Sequence, residues 1–364
     1  MTKQCKKCLY TDDHPLNLFI DNEGICSGCR VHEEKYKIDW EEKEKQLFNL
    51  IKKYKNFNNN YDCIVPVSGS ADSFFIVDYV VNKLNLNPLL VSYNNHSINK
   101  LGWQNLAILK TIFNLDHITK TTSPDYVKAI TRLTMNKFSS IYWHIHAGKT
   151  VFPVQVAKHL EIPLIIWGEN EATEQVGMYS YDSNIEMSRK YRREHILLGF
   201  EAEDLIMMNE ISEECLEEYI YPDVFEINKY GIRGIYLSNY IKWDNFEQNK
   251  SVYQKYKFNI FNHSRTYDPY QNIDCYLYMT LHDVIKYNKC GYSKVLDHLT
   301  RDIRHKRITK IDAQKINNNI SKNNFSEEIL DNFCSWIDID KSSFLSFLEN
   351  YSYSPFYINK NINY

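Results

Sequence analysis

Cys5-x2-Cys8 and Cys26-x2-Cys29, with 17 residues between the pairs, are the residues whose types and spacing most directly specify a chemistry. Each pair offers two thiolates from one tight turn. Four thiolates close a tetrahedron around a zinc ion with no open position, the arrangement of a structural site. Gly24 and Gly28 let the second turn bend back on itself. An iron–sulfur cluster and four unrelated thiols are the alternatives, and the ribbon-like spacing favours zinc. Gly24-Ile25-Cys26-Ser27-Gly28 has the outline of a nucleophile elbow, but it lacks the strand-turn-helix context of one and Cys26 already belongs to the metal set.

A second cluster, Ser68-Gly69-Ser70-Ala71-Asp72-Ser73, could bind an anion. Between a strand and a helix it would present backbone N–H groups at a helix N-terminus, small residues that admit phosphate, and serine hydroxyls as further donors. Asp72 would repel a bare phosphate, so its natural task is to hold Mg2+ against a pyrophosphate. The same residues also make an ordinary Ser/Asp-rich helix cap. Farther on, Lys149 follows Gly148 but is no Walker A lysine, because Trp143 occupies the first-glycine position; it is a phosphate contact or a surface lysine. His144 and His146 alternate as on an extended segment, which would turn both to one side as a metal pair or substrate contact, although hydrogen-bonded structural histidines are the better reading. Glu169 and Asn170 end an apolar run, and Glu174 is a companion that could be simply solvated. Arg304 offers a guanidinium to a carboxylate or phosphate, or else belongs to a solvated helix face.

These groups need a scaffold, and the apolar pattern supplies one. Residues 63–67, 89–93, 117–121 and 162–167 read as short strands separated by helical patterns, the first helix running from about residue 73 to 84. Such alternation predicts an α/β fold, a doubly wound parallel sheet with helices on both faces that binds its ligand at the carboxyl ends of the strands. Ahead of the sheet, Asp39 caps a helix with Glu42 three residues on and Leu47, Leu50, Ile51 and Tyr54 at helical spacing. Beyond about Tyr240 the pattern turns helical, with a charged stretch at residues 301–307; the aromatic, polar tail after Asn350 is expected to be poorly ordered.

Composition sets the outer bounds. At 364 residues, 43% hydrophobic and 14% aromatic, the chain can bury a sizeable core in two domains or in one large α/β domain with an appendage. A net charge of −3 gives no general attraction to nucleic acid or anionic membrane. No run of 18 apolar residues occurs, and residues 1–10 lack an apolar signal segment, so a cytoplasmic location without a membrane partner is expected. Nine cysteines there point to metal binding or free thiols rather than disulfides.

The anion loop resembles the SGGxDS signature of PP-loop ATP pyrophosphatases, the class of GMP synthetase, asparagine synthetase and the tRNA-thiolating enzymes. The wider pattern is similar to one branch, the N-acetyl sugar amidotransferases of bacterial surface-glycan and flagellin-glycan synthesis, which act in pseudaminic acid, legionaminic acid or lipopolysaccharide formation. Besides the cysteine pairs and the loop, the matching features are Asp13-His14-Pro15, Trp143-His144-Ile145-His146-Ala147-Gly148, Ile165-Ile166-Trp167-Gly168-Glu169-Asn170 and Tyr240-Ile241-Lys242-Trp243-Asp244. Leu281-His282-Asp283 to Gly291-Tyr292, and Asp297-His298 to Asp302-Ile303-Arg304, complete a series that spans nearly all of residues 5–310 in the family's order. Two positions depart from the family: Ser70 replaces the second loop glycine, and Ile145 replaces the cysteine of Trp-His-Cys-His.

The composition and periodicity divide the chain into a zinc module over 1–38, a PP-loop ATP-binding domain over 39–238 and a helical substrate or partner region over 239–364. The resemblance implies ATP, Mg2+ and structural Zn2+, with Ser68, Gly69, Ser70, Asp72 and Ser73 on the pyrophosphate and Mg2+, and Ser92 and Tyr93 on the adenosine. Lys149, Glu169, Asn170 and Arg304 complete the catalytic set, Glu169 on Mg2+ or on the attacking amine. The substrate would be an N-acetylated nonulosonic acid or nucleotide-sugar whose amide oxygen is adenylated, displaced by ammonia and replaced in an acetamidino group. No glutaminase is evident, so the resemblance implies ammonia from a separate glutaminase subunit. A tRNA-modifying thiolase of the same fold is the rival reading, disfavoured by the mild negative charge and the absence of paired catalytic cysteines; a non-catalytic scaffold with a degenerate loop is the other.

Overall fold

Apolar runs without alternation become the strands of one parallel sheet: β1 (Cys63–Pro66), β2 (Pro88–Asn94), β3 (His117–Thr121), β4 (Leu164–Trp167) and β5 (Arg233–Tyr236), in the order β3-β2-β1-β4-β5. The computed structural model describes residues 2–14, 16, 18–55, 60–262, 265–271, 275, 277–320 and 326–350; Pro15 and the tail after Asn350 lie outside the described residues. Every strand pairing is parallel, and Ile64 at the centre of β1 registers with Leu89 of β2 and Ile165 of β4.

Successive strand residues point to opposite faces, and helices cover both. The labelled helices are α1 (Ser27–Glu34), α2 (Trp40–Ile51), α3 (Ala71–Asp78), α4 (Lys100–Phe113), α5 (Pro124–Phe138), α6 (Trp143–Leu160), α7 (Asn245–Tyr256), α8 (Leu277–Cys290), α9 (Lys294–Arg304), α10 (Lys310–Asn319), α11 (Glu327–Trp336) and α12 (Lys341–Asn350). On one face Leu47, Phe74, Val77, Leu106 and Val252 join Val65, Leu90 and Ile166 in one core. On the other, Val151, Val154 and Ala157 of α6 join Ile64, Leu89, Val91 and Ile165. Each such fully buried aliphatic side chain contributes roughly 1.5–3 kcal/mol. The fold is therefore the expected doubly wound parallel sheet, with a four-cysteine cluster near the N-terminus and a mostly helical C-terminal region. That region has its own core, where Tyr278, Leu281, Leu330, Phe333 and Phe344 meet Met135 and Ile145. Among the described residues no helix is long and apolar enough to cross a membrane.

The structure differs from the sequence reading in three places. β5 was not foreseen: Arg233 and Gly234 break its apolar run, and only Ile235 and Tyr236 carry the pattern. The helix expected from residue 73 begins at Ala71 and passes at Tyr79 into a π-turn, Tyr79–Lys83. Trp143-His144-Ile145-His146 is not extended but forms the first turn of α6, so its two histidines diverge instead of sharing a side.

Candidate active site and metal centre

Strand order grows from β1 in both directions, β2 and β3 on one side and β4 and β5 on the other. The carboxyl ends of β1 and β4 therefore flank the switch-point crevice where doubly wound sheets take their ligands. β1 exits into residues 68–73 and β4 into Gly168-Glu169-Asn170.

Gly69 makes the first turn with φ +85°, and a Cβ there would lie 2.6 Å from the Gly102 carbonyl oxygen, so only glycine fits. Fully buried Asn105 fixes the turn by donating to the Gly69 carbonyl (3.1 Å) and to that of Asn259 (3.0 Å). Ser70 has φ −76°, ψ 165° at the N-cap of α3, a conformation open to any residue, so its replacement of glycine strains no backbone. The Ser68 N–H donates to Ser73 Oγ (3.0 Å), and the hydroxyls of Ser68 and Ser70 lie 3.1 Å apart. At the head of α3 the Ser73 N–H donates to the Ser70 carbonyl (3.0 Å), while among the described residues those of Ala71 and Asp72 have no acceptor and suit an anion.

Asp72 follows one residue into α3. Its Oδ1 accepts from the amides of Asn245 (2.6 Å) and Asn249 (2.7 Å), both on α7, and among the described residues no hydrogen bond reaches Oδ2. Burial pushes its carboxyl up, while the two amides and Arg301 oppose the shift. Across the crevice Glu169 faces Arg301 of α9 at 3.7 Å, and both keep some exposure, 15% and 14%, enough for a ligand to reach them. Burial drives Glu169 up to about 7, with Glu174, Glu171 and Asp72 adding to the rise and Arg301 opposing it. Asp268 rises to about 6, again through burial first, with Asp72 adding and the Tyr270 N–H and Arg301 opposing. Several carboxylates thus feel the charge of one guanidinium. Its charge lies against Glu169, Asp268, Asp72 and Asp302, yet its one ion pair among the described residues is the long contact to Glu169. Such a set can hold a divalent cation and polyphosphate together and can accept a proton near neutral pH.

Several residues expected in the site have other work. The Asn170 Oδ1 accepts from the N–H groups of Ala172 (3.1 Å) and Thr173 (3.4 Å) and from the Tyr191 hydroxyl (2.8 Å), so it starts the π-turn Ala172–Val176; its buried Nδ2 has no partner among the described residues. Glu174 is not solvated: it is buried, ion-paired to Lys35 and accepting from Tyr181 (2.6 Å). The side-chain hydroxyls of Ser92 and Tyr93 are engaged within the protein. The Ser92 hydroxyl bonds to His117 (2.8 Å) and Thr119 (3.0 Å), and that of Tyr93 to His144 (3.1 Å) and Tyr219 (2.7 Å), its ring against Gly148. His144 is wholly buried and held neutral by burial, near pKa 3; His146, also lowered mainly by burial to about 4, stacks edge-on to Tyr142. Lys149 is half-buried on α6, and its charge depresses both histidines. Arg304 points away from the crevice, into the cysteine cluster. Sequence reasoning missed Arg301, Asp268, Asn105, Asn245 and Asn249; Arg301 lay within the charged stretch that it noted.

Cys5, Cys8, Cys26 and Cys29 are all buried, with their sulfurs within 4.8 Å of one another. Cys5 and Cys29 lie 4.0 Å apart and Cys8 and Cys26 3.5 Å. Bonds of about 2.3 Å around one tetrahedral ion separate sulfurs by about 3.8 Å, so the cage fits a single ion; a multi-iron cluster spreads its cysteines farther. The Cys5 Sγ also accepts from the N–H groups of Lys7 (3.4 Å) and Cys26 (3.3 Å), as a metal-bound thiolate does.

Residues 236–364 match the family model of the C-terminal domain of WbpG-like LPS biosynthesis proteins. An uncharacterized protein of Methanocaldococcus jannaschii is 25% identical over 113 residues, a match that spans 31% of this chain and 40% of that protein. Among solved structures, NMN synthetase from Francisella tularensis aligns with 83% of this chain and 94% of its own at 11% identity and a TM-score of 0.39. The U34-tRNA thiolase NcsA from Methanococcus maripaludis, solved with its 4Fe-4S cluster, aligns over 88% and 90% at 14% identity and a TM-score of 0.30. An NH3-dependent NAD synthetase from Campylobacter jejuni covers 53% and 92% at 13% identity and a TM-score of 0.29.

Proposed function

We propose that the chain is an ATP-using, AMP-forming amidotransferase that converts the N-acetyl group of a bacterial surface sugar into an acetamidino group. The observation that carries this reading is the meeting of the glycine turn, Asp72, Glu169 and Arg301 at the β1/β4 switch point. Match of the C-terminal third to an LPS biosynthesis domain supports a glycan substrate.

In this scheme residues 68–73 take the pyrophosphate, through the N–H groups at the head of α3 and the hydroxyls of Ser68, Ser70 and Ser73. Asp72 Oδ2 would hold Mg2+, whose positive charge would neutralise the phosphates and ease departure of pyrophosphate, leaving Glu169 free for the attacking amine. Arg301 adds a fixed cation to the same charge. The sugar amide oxygen attacks the α-phosphorus, the bond to the β-phosphate oxygen breaks, and pyrophosphate leaves an O-adenylyl imidate. Ammonia, delivered by a separate glutaminase subunit, then adds to the imidate carbon and gives up a proton, with Glu169 as acceptor, and AMP departs. Holding these groups in line is the larger part of the catalysis. The four-cysteine centre, here assigned to structural zinc, lies outside the reaction. The backbone of Ser92 and Tyr93, not their side chains, is left to meet the adenosine.

The nucleotide products test the reading. Incubated with Mg-ATP, ammonium and N-acetylated bacterial sugars, the protein should form AMP and pyrophosphate in equal amounts, and Asp72→Asn should abolish both. Formation of ADP and phosphate would contradict it.

A further inference from the structure

We infer that the four-cysteine centre sets the geometry of the crevice through Arg304, which makes Arg304 a positioning residue. Arg301 and Arg304 stand three apart on α9, so both project from one side of the helix. Arg301 reaches Glu169, whereas Arg304 is 6% exposed and enters the metal centre, its Nη2 3.8 Å from Cys26 Sγ. The Nη1 of Arg304 donates to the carbonyls of Glu174 (3.3 Å) and Gln175 (2.6 Å), within the π-turn that follows Glu169. One guanidinium therefore ties together the metal-binding turn, the exit of β4 and α9.

The junction leaves no slack. A Cβ on Gly28 would strike the Arg304 guanidinium and come within 2.8 Å of the Gln175 carbonyl oxygen. One on Gly177, at φ +65°, would lie 2.5 Å from the carbonyl oxygen of Ser27. The Ser27 hydroxyl donates to the Val176 carbonyl (2.8 Å), the Tyr10 hydroxyl to Asp297 of α9 (2.6 Å), and the Lys310 ammonium to the Cys5 carbonyl (2.6 Å). Tyr10 also lies beneath the Arg304 guanidinium, 5.5 Å from ring centre to Cζ.

Charge makes the dependence mutual. Four thiolates around a divalent ion carry a net charge of about −2, and Arg304 is the buried cation set against it. Without the ion nothing ties the turn of Cys5 and Cys8 to that of Cys26 and Cys29, so the seat that Cys26 and Gly28 form around the Arg304 guanidinium loosens and α9 moves with it. Because Arg301 rides on the same helix, Glu169 then loses its partner.

The inference rests on the assignment of Glu169 and Arg301 to the active site, but its test does not need turnover. Hydrogen–deuterium exchange of the full chain, metal-loaded and after chelation, is compared with that of Arg304→Met and Arg304→Lys, with metal content measured in each. On chelation, exchange should quicken about tenfold in residues 294–304 and 169–177 and stay unchanged in 63–66 and 88–94. Arg304→Met should retain its ion and show the same pattern, and Arg304→Lys should recover part of the protection. Should Arg304→Met fail to fold, the chelated wild type decides alone. Loosening confined to residues 5–34, or an Arg304→Met exchanging like wild type, overturns the inference. In turnover, Arg304→Met should lower kcat about tenfold with KM for ATP within about twofold. A wild type that forms no AMP would instead remove the amidotransferase reading and leave the exchange result standing.

Discussion

Burial keeps one carboxyl of the crevice near neutrality. Glu169 has a pKa of about 7 in the folded chain against an ordinary 4.5. Between those values the native state holds a proton that the unfolded chain has released, so this group's contribution to stability is complete below pH 4.5 and is lost as pH rises through 7. Glu169→Gln removes the effect. Its unfolding free energy from urea titrations should match wild type near pH 4.5 and exceed it at pH 8, by at most about 3 kcal/mol; an equal gap at both values would contradict the burial argument. Arg301→Ala should slow AMP formation about 100-fold or more, as loss of a fixed charge at developing phosphate charge does, with Arg301→Lys partly restoring it. An unchanged rate would remove Arg301 from the site. Asp72 and Glu169 were legible in the sequence because each follows a strand by a few residues, and strand ends define the crevice. Arg301 was not. It shares the basic end of α9 with Arg304, and the seating of that helix on the cysteine module decides which of the two meets the crevice.

Among the elements, the glycine turn and the helix after it decide whether an anion can dock. Gly69→Ala should cost about 1–3 kcal/mol and distort the loop, since φ +85° and the Gly102 carbonyl both exclude a side chain. Ser70→Gly should stay within about 1 kcal/mol of wild type, because Ser70 already has an ordinary backbone. Thermal unfolding of the two variants checks both, and a larger loss at Ser70 than at Gly69 would reverse the account of the loop. Strands β1, β2 and β4 were readable because burial on both faces leaves unbroken apolar runs. β5 was hidden by Arg233, which pairs with Glu186, and by Gly234, against which Met187 packs. Trp143-His144-Ile145-His146 alternated like a strand, yet it is helical because α6 lies across the sheet: Trp143 donates to the Phe200 carbonyl (2.7 Å), His144 meets Tyr93, and Gly148 lets the Tyr93 ring lie against the helix.

At the scale of the whole molecule, buried charge joins the cysteine module to the sheet and the sheet to the C-terminal helices. Lys35, 2% exposed, pairs with Glu174 and donates to the Trp243 carbonyl (2.7 Å), touching all three regions. Lys35→Met alone should destabilise by about 3–5 kcal/mol by leaving Glu174 buried and unpaired, and adding Glu174→Gln should recover much of the loss. Additive losses in denaturant titrations would show that the pair is not coupled. None of this connectivity was legible in the sequence, because Lys35 and Glu174 are 139 residues apart and each alone reads as a solvated charge. The central claim, that the crevice is an adenylating and amidating site, is tested most directly by the mass of the sugar formed from Mg-ATP, ammonium and an N-acetylated bacterial sugar. The account predicts a slightly lighter sugar, oxygen exchanged for NH, in step with AMP. AMP formed while every sugar keeps its mass, or no AMP with any sugar, would contradict it.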